Sequence, residues 1–264
     1  MCPIKNLNSI RKRCAERLLG LHWKAGSGHI GASLSCLEIL VYLFSIKSED
    51  DVIFLSKGHA ATALYSVLCE FGFINESDLA TFYQDGTFLA AHPGCSNKIS
   101  GILFGTGSLG HGLSLATGTV FSQKFTKKSF QVYCILSDGD CNEGSTWEAA
   151  LFAQHHRLSN LMVILDGNGL QGFGTTAEIM NLEPKIDKWR SFGFEVSYCC
   201  QGNNFTAIEK SINNRGDANR PFVVLADTIK GHGVSFMENK MEWHYLPMNE
   251  QQYRLALLET ETKE

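Results

Sequence analysis

Asp138 and Asn168 are the residues best placed to hold a metal ion, because each follows a short apolar run and the two lie 30 positions apart. Val132-Tyr133-Cys134-Ile135-Leu136 reads as a buried strand ending in the polar turn Ser137-Asp138-Gly139-Asp140. Leu161-Met162-Val163-Ile164-Leu165 reads as a second buried strand running into Asp166-Gly167-Asn168. A helix is expected between them, with Trp147, Ala150, Leu151 and Ala153 facing inward. Strand, right-handed crossover and parallel strand bring both turns to one rim of a sheet, where the ligands of such sheets bind. A carboxylate, an amide oxygen and the carbonyls of Asn168-Gly169-Leu170 suit magnesium or calcium better than zinc, since neither turn carries cysteine or histidine. With one carboxylate in its shell a divalent ion keeps net positive charge, which suits a diphosphate. Asp138-Gly139 or Asp166-Gly167 alone is an ordinary turn dipeptide; the pair at this spacing marks a site.

The elements that position these turns follow from hydrophobic periodicity. Leu7, Ile10, Cys14, Leu18 and Leu21 predict an amphipathic helix over residues 7–23, followed by a glycine-rich turn with His29 at its tip. Ser35 is placed to cap a helix carrying Leu37, Ile39, Leu40, Leu43 and Phe44. Residues 52–55 read as a strand and 61–71 as a helix, so His59 sits at a strand-to-helix turn, where backbone N–H groups can bind phosphate. Thr106-Gly107-Ser108-Leu109-Gly110-His111-Gly112 opens a helix that runs to about Lys124. Helix, strand, helix and strand are expected over 187–192, 195–199, 205–213 and 222–227. With no internal repeat or linker, the alternation predicts an α/β fold: a mostly parallel sheet flanked by helices on both faces, one domain over residues 1–264.

Composition narrows the setting. The chain has 264 residues, 44% hydrophobic, with a net charge of −4, so no basic field points to nucleic acid or an anionic membrane. Nine cysteines without a CxxC pair predict reduced thiols in a cytoplasmic protein. The N-terminus (Lys5, Arg11, Lys12, Arg13) has no apolar signal core. The longest apolar run, Leu37 to Phe44, contains Glu38 and is too short to span a bilayer.

The stretch from Gln131 to Gly174 resembles the thiamine diphosphate motif of transketolases, with Ser137 among its departures. Further segments resemble family motifs in family order, so the resemblance covers about residues 7 to 250. Ser27-Gly28-His29-Ile30-Gly31 is similar to the segment bearing a substrate-contacting histidine, with Ile30 in place of proline. Ser56-Lys57-Gly58-His59-Ala60 resembles the context of a cofactor-contacting histidine, and His92 in Ala90-Ala91-His92-Pro93-Gly94 a third active-site histidine. The Thr106–Gly112 turn resembles one lying against thiamine, with Ser108 and His111 replacing proline and glutamine. Residues 230–244 resemble the segment ending in a cofactor- and substrate-facing histidine, here His244; His232 stands where lysine is commoner.

The resemblance implies thiamine-diphosphate- and magnesium-dependent transfer of a two-carbon ketol unit from a ketose to an aldose. It assigns Asp138, Asn168 and the Leu170 carbonyl to the metal. Gly107, Ser108, Leu109, Gly139 and Asn168 fall beside the cofactor, and His29, His59, His92 and His244 at the diphosphate and sugar hydroxyls. Glu143 matches a carboxylate at a subunit interface, or else serves as a capping or solvated residue at a helix start. Full-length transketolases continue with a pyrimidine-binding domain. This chain is therefore expected to be the N-terminal subunit of a split enzyme, completed by a C-terminal partner carrying that domain in an α2β2 assembly and acting on sugars or sugar phosphates. A related enzyme acting on an unusual sugar in a nucleotide-sugar, polysaccharide or antibiotic pathway, and a non-catalytic relative, are the alternatives.

Overall fold

Four apolar runs and one mixed segment, four to seven residues long, become the strands: β1 (Val52–Leu55), β2 (Val132–Ser137), β3 (Leu161–Gly167), the mixed β4 (Glu195–Cys199) and β5 (Phe222–Asp227). In the computed structural model, which describes residues 4–94, 99, 101–126, 128–183 and 185–262, they form one sheet in the order β1-β2-β3-β5-β4. Every pairing is parallel. The carboxyl ends of all five strands therefore point to one rim.

Strand side chains alternate between faces, and both faces are covered. Tyr133, Ile135, Met162, Ile164, Phe222 and Val224 enter one core, whereas Val132, Cys134, Leu136, Val163, Leu165 and Val223 enter the other. The first core is closed by α1 (Ile4–Ala25), α2 (Ile30–Ser35), α3 (Leu37–Ile46) and α4 (Ala61–Glu70), with the short α5 (Glu76–Leu79) beside α4. The second is closed by α6 (His111–Thr126) and α7 (Gly144–His155). Beyond the short α8 (Thr176–Ile179), α9 (Lys185–Ser191) adds Trp189 to that core. Returning to the first face, α10 (Phe205–Asn213) packs on β4 and β5 beside α3, and α11 (Glu250–Thr262) packs against α1. The expected α/β layering is what forms, and Leu7, Ile10, Cys14, Leu18 and Leu21 are all buried along α1.

Two local readings are corrected. Leu151 is 57% exposed, because the inward arc of α7 is Thr146, Ala149, Ala150 and Ala153, and Leu151 lies one step outside that i, i+3, i+4, i+7 stripe. Trp147 is half-buried at the edge of the stripe, its ring tilted against Trp189 and its indole N–H donating to the Cys141 carbonyl. Ser35 does not cap α3: Cys36 occupies that position, and Ser35 closes α2 with its hydroxyl turned to Asp166.

Ile164 sits on the central strand at 1% exposure. Ile164→Ala should lower unfolding stability by about 2–5 kcal/mol in urea titration with the denaturant slope unchanged.

Candidate active site

Two buried aspartates fix the geometry of the rim. Asp140, in the 3₁₀ turn Gly139–Asn142 after β2, is fully buried. It accepts bonds from the Ser137 N–H (2.8 Å), the Ser137 hydroxyl (2.7 Å), the Gly110 N–H (2.8 Å) and the Ser56 hydroxyl (2.5 Å). The end of β1, the end of β2 and the start of α6 are thereby tied together. Asp166, at the end of β3, accepts from the Ser35 hydroxyl at 2.6 Å and, in very short contacts, from the Lys57 ammonium and the Thr228 hydroxyl. Lys57 is also wholly buried and donates to the Ala32 carbonyl at 2.9 Å.

Asp138 is treated differently. Its Oδ2 accepts the Gly169 N–H at 2.9 Å, so the turns after β2 and β3 meet within one hydrogen bond. Its Oδ1 is buried with no partner. Burial pushes this carboxyl up to about 6, against the opposing pull of the Gly169 N–H and Lys185. Asn168 Oδ1 accepts from the Leu170 N–H at 3.1 Å, while its Nδ2 donates to Ser35 at 3.2 Å.

These groups open on a cleft of about 290 Å³ lined by Asp138, Gly139, Asn168, Leu170, Gly107 and Leu109 on one side. A Cβ on Gly139 would lie 2.8 Å from the Leu109 Cδ1 methyl, so a larger residue there would displace the Leu109 side chain. The other side carries four imidazoles. His29 is centred 5.3 Å from His59, 6.1 Å from His92 and 4.9 Å from His244, and His59 is 5.7 Å from His244. His29 is held at φ 70°, its N–H donating to the His244 carbonyl at 3.0 Å, and a Cβ on Gly28 would come within 2.6 Å of the Tyr245 carbonyl oxygen. The two histidine turns are thus locked against each other, at the cost of a left-handed backbone that a non-glycine residue adopts rarely.

Electrostatics set the protonation of this cluster. Burial first, then the neighbouring His92, Lys230 and Lys57, lowers His29 to about 4. Burial, then Lys230, His29 and Lys57, lowers His244 to about 3; burial and then Lys57 bring His59 well below its usual value, and burial lowers His92. All four are neutral imidazoles at pH 7, each able to donate and to accept. Lys230, itself lowered to about 8 by burial and then by Lys57, lies 2.9 Å from His244 Nδ1.

Ten of the twelve residues singled out from the sequence line this cleft: His29, His59, His92, His244, Gly107, Leu109, Asp138, Gly139, Asn168 and Leu170. Ser108 and Glu143 do not. Ser108 is exposed on the glycine-rich turn, and Glu143 is exposed at the N-cap position of α7 without a side-chain capping bond. The lining also includes Lys57 and Lys230, which stand in the histidine-bearing segments but carry no signal of their own in the sequence. Asp140 and Asp166 read there as turn residues only; their buried partners come from distant segments.

The donor set fits a hard divalent ion. It offers one carboxylate with an unpartnered buried oxygen, one amide oxygen and backbone carbonyls, and among the described residues no group of three His, Cys, Asp or Glu competes as a softer site. Lys57 and Lys230, in the same lining, suit the anion such an ion would bind.

The family profile described as "Transketolase, thiamine diphosphate binding domain" matches residues 11–259. The chain belongs to the transketolase family. An apulose-4-phosphate transketolase subunit from Actinobacillus succinogenes is 37% identical over 97% of this chain and 94% of its own length. The 6-deoxy-6-sulfo-D-fructose transketolase subunit SqwG of a Clostridium species is 37% identical over 96% and 94%. A transketolase crystal structure from Campylobacter jejuni superposes with a TM-score of 0.86 at 27% identity; it covers 96% of this chain, which spans 43% of that longer one. What this chain contributes to the transketolase family is thus its thiamine diphosphate binding domain. Among the described residues no helix is long and apolar enough to cross a membrane.

Acid should destabilise this transketolase domain through its histidines. His29, His59, His92, His244 and buried His22, the last lowered to about 3, all have folded pKa values below the ordinary histidine value of 6.5. The unfolded chain therefore binds more protons, and stability present above about pH 6.5 is lost as pH falls toward the folded values. Asp138 acts in the opposite sense between about 4 and 6, one group against five. Urea midpoints measured from pH 7.5 to pH 5 should fall; midpoints that stay level would contradict this electrostatic picture.

Proposed function

We propose that this chain is the N-terminal, diphosphate-binding subunit of a two-subunit transketolase, moving a two-carbon ketol unit from a ketose to an aldose. The observation that carries this reading is the unpartnered Asp138 oxygen in a cleft that also holds two buried lysines and four neutral imidazoles. Asp138, Asn168 and the Leu170 carbonyl would hold Mg2+. Lys57 and Lys230 would meet the diphosphate, and Gly107, Ser108, Leu109 and Gly139 would hold the cofactor. Thiamine diphosphate supplies the carbon nucleophile that a protein side chain lacks.

The chain's own groups bind, orient and move protons. His59 and His244 contact the cofactor, while His29, His92 and His244 act on sugar hydroxyls as neutral donors and acceptors. Lys230, largely protonated at pH 7, donates to His244 Nδ1 and so leaves Nε2 carrying the proton.

The mouth of the cleft is open and partly apolar, with Phe173 84% and Tyr245 52% exposed. A C-terminal partner carrying the pyrimidine-binding domain covers it, with exposed Glu143 at the interface in a cytoplasmic α2β2 assembly of which this chain forms one domain. Two relatives named as transketolase subunits for apulose-4-phosphate and 6-deoxy-6-sulfo-D-fructose favour an unusual sugar or sugar phosphate as substrate. So do the departures at Ile30, Ser108, His111 and Ser137. Conservation of fold without catalysis would leave the Asp138 oxygen and the neutral imidazoles without a purpose.

Calorimetric titration tests the core of this reading. Thiamine diphosphate with Mg2+ should bind, raise stability by about 2.7 kcal/mol at 100 times Kd, and lose both effects in Asp138→Ala. Ketol transfer should appear only when the partner is added. Absence of Mg2+-dependent binding, or full turnover by this chain alone, would overturn it.

A further inference from the structure

The two edges of the sheet are finished differently. Beyond β1, residues 101–104 lie against the strand and leave a space of only about 10 Å³, with Phe104 stacked on Phe54 at 6.0 Å. Beyond β4 the surface opens into a groove of about 410 Å³ between that strand and α10. None of its residues lines the cofactor cleft, and β5 separates it from β3. The groove is therefore independent of the cofactor.

One wall of the groove is a bare strand edge. At the start of β4 the Glu195 N–H donates to the Pro221 carbonyl at 3.0 Å, so the backbone of Glu195 faces β5. Alternation along a parallel ladder turns Ser197 and Cys199 the same way and leaves the N–H and C=O groups of Val196 and Tyr198 on the outer edge. No strand pairs with them among the described residues. Natural sheets blunt such an edge with proline, an outward charge or a bulge, and β4 carries no proline and no break in register. Its one charged side chain, Glu195, is taken up by the N–H groups of Gly216 and Asp217 at 2.6 and 3.0 Å. The Tyr198 hydroxyl donates to Asp227 on the face opposite α10, which keeps that ring out of the way.

The other wall offers unsatisfied polar groups. Ala207, Lys210, Ser211 and Asn214 form one stripe of α10, at i, i+3, i+4 and i+7, along the groove. A serine inside a helix commonly closes on a carbonyl of its own helix, as Ser45, Ser122 and Ser191 do at 2.7, 2.8 and 2.7 Å. Ser211, only 7% exposed, has no hydrogen-bond partner among the described residues, and neither has Ser197 on the strand at 4%. Two hydroxyls so deeply buried, both lining an open groove, are left for a ligand to satisfy.

Charge selects the occupant. Lys210 is the one charged side chain of the lining and has no carboxylate partner among the described residues. A second copy presenting the same edge would bring another Lys210 and no carboxylate. An apolar ligand would leave both hydroxyls unmet, and a small anion would satisfy Lys210 but not the backbone groups spaced along the strand. We infer that the groove docks an extended segment of a partner polypeptide, which adds as a further strand beside β4 and sets a carboxylate side chain against Lys210. Main-chain bonds to Val196 and Tyr198 supply the grip, and side chains on the inward face of the segment meet Ser197 and Ser211. Because β4 spans five residues, the recognised segment has about that length.

Two soluble pools of capped peptides matching β4 in length serve as probes, randomised without proline except for a central Glu in one pool and a central Lys in the other. Amide hydrogen exchange of the full chain is the readout. The Glu pool should slow exchange at Val196 and Tyr198 saturably, and the Lys pool should not. Lys210→Glu, an exposed change on α10 that should leave the melting temperature unaltered, should reverse that preference. Ser211→Ala should weaken protection by the Glu pool about fivefold, the loss expected for one hydrogen bond. Protection by neither pool, equal protection by both, or a preference that Lys210→Glu does not reverse would overturn the inference. So would protection of Val196 and Tyr198 that rises with chain concentration in the absence of peptide, since the edge would then belong to a second copy.

Discussion

A carboxylate sealed from water must be neutralised where it stands, and Asp166 is neutralised by side chains from three other segments. Ser35 comes from the end of α2, Lys57 from the turn after β1 and Thr228 from the turn after β5. Burial pulls the Lys57 ammonium down, and the Asp166 carboxylate more than offsets it, leaving the lysine above its usual range. A fully buried ion pair adds little net stability but penalises any arrangement that breaks it. At this position that penalty falls on misplacing the ends of β1, β3 and β5 relative to one another. The rim that holds the cleft is therefore specified by one charge and its partners.

Three aspartates near the ends of β2 and β3 look alike in the sequence and do different work. Asp140 and Asp166 spend their oxygens on Ser56, Ser137, Gly110, Ser35, Lys57 and Thr228. Asp138 keeps one oxygen buried and unpaired, and burial raises its carboxyl to about 6. The same burial that raises Asp138 keeps the imidazoles uncharged, and with Lys57 paired to Asp166 the ammonium of the lining without a carboxylate partner is that of Lys230. The result is a cleft whose lining combines a buried carboxylate, an ammonium and neutral proton-exchanging imidazoles.

Much of this was legible from residue order because strands buried on both faces read as unbroken apolar runs. The positions of β1, β2, β3 and β5 follow from those runs, whereas β4, at the sheet edge with Glu195, Ser197 and half-exposed Tyr198, does not read as one; the parallel crossover places Asp138 beside Asn168 at one rim. The histidines at 29, 59, 92 and 244 converge because each sits on a glycine-rich turn at that same edge or on a loop folded over it. Buried charges were harder. Lys57 and Lys230 leave no periodic trace, since their partners lie 109 residues away at Asp166 and 14 away at His244. The inward face of α7 was misjudged at Leu151 because alanines, not large residues, make the contact with the sheet. Likewise, α11 is mostly polar with Ala256 its fully buried apolar contact, which gives weak periodicity.

Manganese in place of magnesium reads the metal position directly. With thiamine diphosphate present, pulsed paramagnetic resonance of the Mn2+-loaded chain should show phosphorus hyperfine coupling from the diphosphate, and both the bound Mn2+ signal and the coupling should vanish in Asp138→Ala. A Mn2+ signal without phosphorus coupling, or one that survives loss of the Asp138 carboxylate, would contradict the convergence of these two turns on a diphosphate-bridging cation.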